Sequence, residues 1–470
     1  MFRCNTRTHA EQHAFLNMNA RAVEGVTVFG RRSMLKASMA GMAGLSLPNL
    51  LHAREAATAA GKPQRHKSVI LIWMTGGPSH IDTWDPKPNA PLEIRGPFST
   101  IPTALPGVAF CEFLPKQAAM MDRMTVIRSV DCKSSNHEPN MVMQTANRAA
   151  APRVNLREGD KFPAFGSIIA KERMKISREM PPYVVLNMKS RSHVAWGGYL
   201  GRSYDPFNGN DVGQLFSLPG GLNAERLNSR RALNQDLDRL RRGLDLGGSM
   251  EATGRFTQQA LDMVLGEKAR TAFDVSRESE EIRNRYGSHD WAKQVLLARR
   301  LVESGVSFVT IDLSNHGASG TWDTHGDNIP PYGGIWNGLR PLLPVFDHLI
   351  TTLVDDLDQR GLLDDVLILA MGEFGRTPKI GTQGSSDGRD HWPIVMSMTL
   401  AGGGLRHGQV IGSSEKDGSE IKERPVTPSD LAATIFRHMG VPQDITYQDN
   451  RGRPRFVVEE GGLPLPELFG

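Results

Sequence analysis

Three cysteines in 470 residues are too few for a disulfide framework. Beyond the first stretch of the chain only Cys111 and Cys132 remain, a pair that an oxidising compartment would allow to join. Blocks of Lys and Arg interleaved with aromatics are missing too. The formal charge is only +4 and both signs are mixed along the chain, which argues against nucleic acid as a partner. No phosphate-loop or dinucleotide glycine pattern follows a strand correctly, and no repeat is visible. Long apolar runs are absent as well. The nearest to one, Ala37 to Leu51, is broken by Gly41, Gly44 and Pro48 and is too short to span a bilayer comfortably.

That short run has another meaning. It follows Gly30-Arg31-Arg32-Ser33-Met34-Leu35-Lys36 and precedes Ala57-Thr58-Ala59, a small-residue cleavage site, with Ala53 and Ala56 as alternatives. A basic region, a short apolar region and small residues together mark an export signal. The paired arginines match the twin-arginine pattern, whose translocation machinery carries folded proteins. The expected layout is an export signal and linker over 1–60 and one α/β domain over 61–470. The expected location is the periplasm or the exterior, with no integral membrane segment after cleavage.

Along the mature chain, continuous apolar runs read as buried strands at Ser68 to Met74, Met124 to Val130, Pro181 to Asn187, Val306 to Leu313, Val366 to Met371 and Ile394 to Leu400. Helical patterns cover Asn140 to Asn147, Trp291 to Ser304 and Leu339 to Arg360. A last helix starts at Thr427-Pro428, with Thr427 as cap, and stops at Gly440. Strands alternating with helices predict a mainly parallel sheet flanked by helices. Asn223 to Leu246, Glu251 to Gly266 and Ala269 to Tyr286 read as charged helices, a helical insertion over about 223–286.

Histidines and carboxylates recur where strands end: His80 and Asp82, then His137 and Glu138, then Asp323 and His325, then Glu373 with Asp390 and His391. Ligands of open α/β sheets bind outside the carboxyl ends of the strands. Imidazole and carboxylate are ligands of divalent ions in hydrolytic sites. His80 and Asp82 could equally tie their own loop together by hydrogen bonds. His137 lies where strand gives way to helix, a place suited to a phosphate or sulfate.

The order and spacing of these motifs resemble a secreted family, domain of unknown function 1501, grouped with the alkaline phosphatase and sulfatase superfamily. The residues carrying the likeness are Gly76-Gly77-Pro78-Ser79-His80-Ile81-Asp82, Asp85-Pro86-Lys87-Pro88, Asn136-His137-Glu138, Trp322-Asp323-Thr324-His325, Gly372-Glu373-Phe374-Gly375-Arg376-Thr377-Pro378 and Gly388-Arg389-Asp390-His391-Trp392. The resemblance implies a three-layer alkaline-phosphatase-like fold with one or two divalent ions (Zn, Ca, Mg or Mn) at the strand ends. It implies metal ligands among His80, Asp82, Asp323, His325, Glu373, Asp390 and His391. Superfamily hydrolases attack with Ser, Thr or a modified Cys where this chain has Asn136 or His137, and Phe374 stands where a metal-binding histidine belongs.

The leading expectation is an exported, metal-dependent hydrolase of phosphate or sulfate esters, with a small anionic substrate, free or carbohydrate-linked. His137, Asn136 and Arg376 would serve the chemistry, and Arg376 and Arg389 would hold the anion. The rival expectation is a catalytically silent protein that keeps the fold and binds an anionic glycan.

Overall fold

The computed structural model describes residues 66–135, 141–150, 162–173, 180–188, 196–210, 212, 266–315, 321–326, 332–381, 384–459 and 461–470, and the backbone of 20–23 and 26–29. It divides into a unit over Met1–Arg65 and a unit over His66–Gly470. In the first, Ala20–Val23 pairs antiparallel with Val26–Phe29. The twin-arginine motif and its apolar run lie outside the described residues.

The second unit is built on an eight-stranded sheet. In chain order its strands are β1 (Ser68–Trp73), β2 (Met124–Val130), β3 (Tyr183–Leu186), β4 (Phe207–Asn208), β5 (Phe308–Asp312), β6 (Val366–Met371), β7 (Met396–Gly402) and β8 (Gln409–Ile411). Their order across the sheet is β8-β2-β7-β6-β1-β5-β3-β4. All run one way except β7, which is antiparallel to both β6 and β2.

Strand alternation divides the interior into two cores. On β1, Ile70, Ile72 and Met74 join one core, while Val69, Leu71 and Trp73 join the other. Both faces are covered, which explains why β1 from Val69 onward and β6 throughout are apolar and not alternating. Helices α2 (Asp290–Glu303) and α3 (Arg340–Gln359) cover the first core; α1 (Phe165–Arg173) and α4 (Pro428–Met439) cover the second. The fold is therefore a three-layer α/β architecture with a mostly parallel central sheet, as the sequence predicts. Helix α4 carries a capping box between Thr427 and Asp430 and ends at Gly440 in the left-handed conformation.

Three expectations change. The helix expected over Asn140 to Asn147 is the short Met141–Thr145, after which Ala146 turns at φ 56°. Asp274 interrupts the expected helix Ala269 to Tyr286 by accepting the Ser276 N–H, which leaves Glu267–Phe273 and Glu280–Tyr286. These two pieces bury Ala269, Ala272 and Tyr286 in the core under α2, so this stretch is part of the helical layer. The remainder of the expected insertion lies outside the described residues. Cys111 and Cys132 are free, buried thiols in different cores, separated by the sheet.

Candidate metal centre

Strands β6, β1 and β5 stand side by side and end at one edge; β7, running against them, begins there. The loops after the first three and the loop before β7 therefore meet. A two-residue ladder, Gly375–Arg376 with His391–Trp392, joins the loop after β6 to the loop before β7.

Close approach needs two glycines. Gly76 has φ +113°, and a Cβ there would lie 2.4 Å from the Asp323 backbone nitrogen. Its own N–H donates to Glu373 Oε1 at 2.9 Å. At Gly388 a Cβ would meet the His325 carbonyl oxygen at 2.0 Å. Trp322 N–H donates to Thr75 O, and Arg389 N–H donates to Thr324 O, each at 2.8 Å. Segment 322–325 is thus clamped between the loop after β1 and the loop before β7.

The clamp brings side chains together. His325 Nε2 and His391 Nε2 are 2.9 Å apart, so one ring donates its N–H to the bare nitrogen of the other. Asp323 Oδ1 lies 3.4 Å from His325 Nε2. One ligand atom from each of Asp323, His325 and His391 falls within 4.8 Å of the others. Asp390 Oδ1 stands 3.4 Å from the second nitrogen of His325, and it accepts the His391 backbone N–H at 2.7 Å. A carboxylate on the far nitrogen is how a metal-binding imidazole is usually oriented. Two imidazoles and a carboxylate on one face are a donor set that divalent transition ions fit. Asp323 is nearly buried and both histidines are half-buried, so the face remains reachable.

Arg376 holds this face from beneath. It is fully buried; its Nη2 pairs with Asp323 Oδ1 at 2.8 Å and donates to Gly76 O. Nε donates to Gly77 O at 3.0 Å and Nη1 to Arg389 O at 3.3 Å. The guanidinium joins the loops after β1, β5 and β6 to the loop before β7, so its role is to position Asp323. Phe374 packs its ring 4.7 Å from that of His391. Glu373 is buried beside the centre with one oxygen held by Gly76.

The other expected residues are placed differently. Arg389 Nε and Nη2 grip the two oxygens of Asp82 at 2.7 and 3.2 Å. Its remaining N–H groups go to the carbonyls of Ile94, Thr377 and Pro378. All five guanidinium donors have protein acceptors, which leaves none for a substrate anion. Asp82 also accepts the Ser79 hydroxyl, at 2.5 Å, and is buried. His80 is fully buried with Nε2 donating to Gly418 O at 2.9 Å, and burial pushes its pKa down to about 4. His80 and Asp82 tie their loop and stand apart from the cluster. Asn136 and His137 lie outside the described residues.

Sequence reading passed over Tyr332, whose ring meets that of His325 edge-on at 5.2 Å, and Asp387, which anchors the turn after Tyr332. The Gly333-Gly334 pair ahead of an amphipathic helix was the available signal.

Comparison with solved structures finds several distant likenesses. A lipoteichoic acid synthase from Listeria monocytogenes is 10% identical with a TM-score of 0.35, covering 80% of this chain and 73% of that one. A sulfatase from Pseudoalteromonas sp. is 13% identical with a TM-score of 0.35, covering 89% and 74%. A protein described as belonging to the alkaline phosphatase superfamily, from Vibrio parahaemolyticus, is 9% identical with a TM-score of 0.36, covering 80% and 67%. A search of curated proteins finds no match. The family model described as "Protein of unknown function (DUF1501)" matches residues 66–469, and the chain belongs to that family.

Proposed function

We propose that the protein is an exported, metal-dependent hydrolase of phosphate or sulfate esters. The observation that carries this reading is the convergence of Asp323, His325 and His391 at the carboxyl edge of three adjacent parallel strands. Of the four ions, two imidazoles in the set favour zinc over calcium, magnesium and manganese, which prefer oxygen ligands. When bound, the ion would polarise the ester oxygen and lower the pKa of a bound water.

The chain supplies the rest. Asp390 fixes the ring of His325 through Nδ1, and Arg376 fixes the carboxylate of Asp323, so the ligands are set before any ion arrives. Phe374 excludes water from one side of His391. His137, which follows β2 in the sequence, would act as nucleophile or acid–base. The twin-arginine motif would deliver the folded protein to the periplasm or beyond.

Metal analysis of the purified mature protein, with hydrolysis of aryl phosphate and aryl sulfate, tests the reading. The expected result is about one ion per chain in the wild type, lost in His325→Ala and in His391→Ala together with turnover. A metal-free wild type that turns over neither ester would overturn it. A protein that holds the ion but hydrolyses neither ester would be the silent glycan-binding form, which the lack of Ser or Thr at the Asn136-His137 position favours.

A further inference from the structure

We infer that the exposed face of Trp336, backed by Arg340, is a subsite for the pyranose ring of the ester substrate. The inference rests on the hydrolase reading above and names the alcohol portion of what is hydrolysed.

The turn that carries Trp336 is attached to the centre at two points. Its start, Tyr332, packs edge-on against His325. Its middle is pinned by Asp387, whose backbone oxygen accepts the Ile335 N–H at 2.8 Å and whose Oδ2 accepts the Trp336 N–H at 2.9 Å. Asp387 belongs to the loop that continues into Asp390 and His391. The turn itself, Gly334–Leu339, is π-helical, a form that recurs at functional sites. Trp336 is 43% exposed although it is held on several sides, with Phe98 at 6.1 Å between ring centroids. A solvent-facing indole on a pinned backbone is a preformed platform, since little freedom is lost when a ligand covers it.

Arg340 supplies the polar half. Its guanidinium carbon lies 4.3 Å from the centroid of the Trp336 ring. Among the described residues it makes no hydrogen bond or ion pair, in contrast to Arg376 and Arg389, whose donors are committed to protein. The guanidinium therefore lies over the indole with N–H groups not committed to a described residue. A pyranose matches both features, with a C–H face for the indole and hydroxyls for the guanidinium. An aryl group matches only the plane, and a free phosphate or sulfate only the fork.

The test compares wild type, Trp336→Ala and Trp336→Phe on hexose 6-sulfate and 6-phosphate, on methyl sulfate and phosphate, and on the phenyl esters. In Trp336→Ala the ratio of kcat/KM for the hexose ester to that for the methyl ester should fall about tenfold, mainly through KM, and Trp336→Phe should keep most of it. An unchanged ratio, or a fall confined to the phenyl ester, overturns the assignment. If the wild type hydrolyses none of these esters, the hydrolase reading has failed and titration calorimetry with hexose 6-sulfate decides the subsite by itself. Heat seen with wild type and lost in Trp336→Ala upholds it; no heat with wild type overturns it.

Discussion

Three arginines near the candidate centre show how much of a residue's role depends on what its neighbours leave unsatisfied. Arg389 has every donor on a protein acceptor, Arg376 is buried against Asp323, and Arg340 is stacked and makes no hydrogen bond or ion pair among the described residues. Their identities were visible in the sequence, but their partners were not. Asp82 and Arg389 are 307 positions apart, and no local pattern links them. The Asp-x-His spacing of 323 and 325 was legible, because it needs only one extended segment at a strand end. Removing one member of the buried Asp82–Arg389 pair leaves a charge with no solvent, so Asp82→Ala should cost about 3–5 kcal/mol in denaturant unfolding. A loss below about 1 kcal/mol would mean that the pair is hydrated and unimportant. His80 yields a pH prediction. Its folded pKa, about 4, lies below the ordinary 6.5, so from pH 6.5 downwards the unfolded chain takes up a proton that the folded chain refuses. Stability should therefore fall between pH 6.5 and about 4 and be flat in this contribution above 6.5. The same holds for His438, also pushed to about 4 by burial. His80→Gln should flatten the slope by on the order of 1–3 kcal/mol across that window, read as the difference between unfolding curves of the two proteins.

At the scale of elements, apolar runs located β1, β2 and β6 to within a residue, since strands buried on both faces have no alternation to blur. The ends of α4 were legible because Thr427, Pro428 and Gly440 each have a backbone reason to stand where they do. The direction of β7 was not legible, because an apolar run reads the same whichever way it crosses a sheet. The π-helical turn before α3 was not legible either: Gly334 and Gly338 break the helical pattern, and the expected helix begins only at Leu339. The turn after β2 bears a prediction about catalysis. With Met141–Thr145 only a short helix, its amino end is a poor anion site, and the weight falls on the His137 side chain. His137→Ala should reduce turnover of an aryl phosphate or sulfate by roughly a hundredfold or more, while Ser134→Ala and Ser135→Ala leave most of it. If either serine variant proves the more damaging, the nucleophile is a serine. If all three keep wild-type rates with metal bound, this turn has no catalytic part.

For the whole molecule, the sheet has a hydrophobic core on each side, and the sites of interest lie along a single edge. That arrangement tolerates variation in the outer loops, since β1, β5 and β6 hold their ends in register without them. It also suits an export route that accepts only folded cargo. Replacing Arg31 and Arg32 with lysines should hold the precursor in the cytoplasm, as judged by fractionation and immunoblotting; undiminished accumulation outside the cytoplasm would show that the pair is not an address.

The reversed strand β7 has a consequence for how the chain is born. It is wedged between β6 and β2, which have no other contact in the sheet than through it. Until residues 396–402 leave the ribosome, β2 and β6 each present an open edge bordered by apolar cores, the form most prone to stray pairing. The histidine that completes the cluster, His391, emerges just before the strand that closes this gap. Synthesis thus delays both the seal and the site to nearly the same moment. A chain ending at Trp392 should accordingly appear in the insoluble fraction while the full chain, expressed alongside, stays in the supernatant, and a soluble, monomeric truncation would show that β2 finds another shelter.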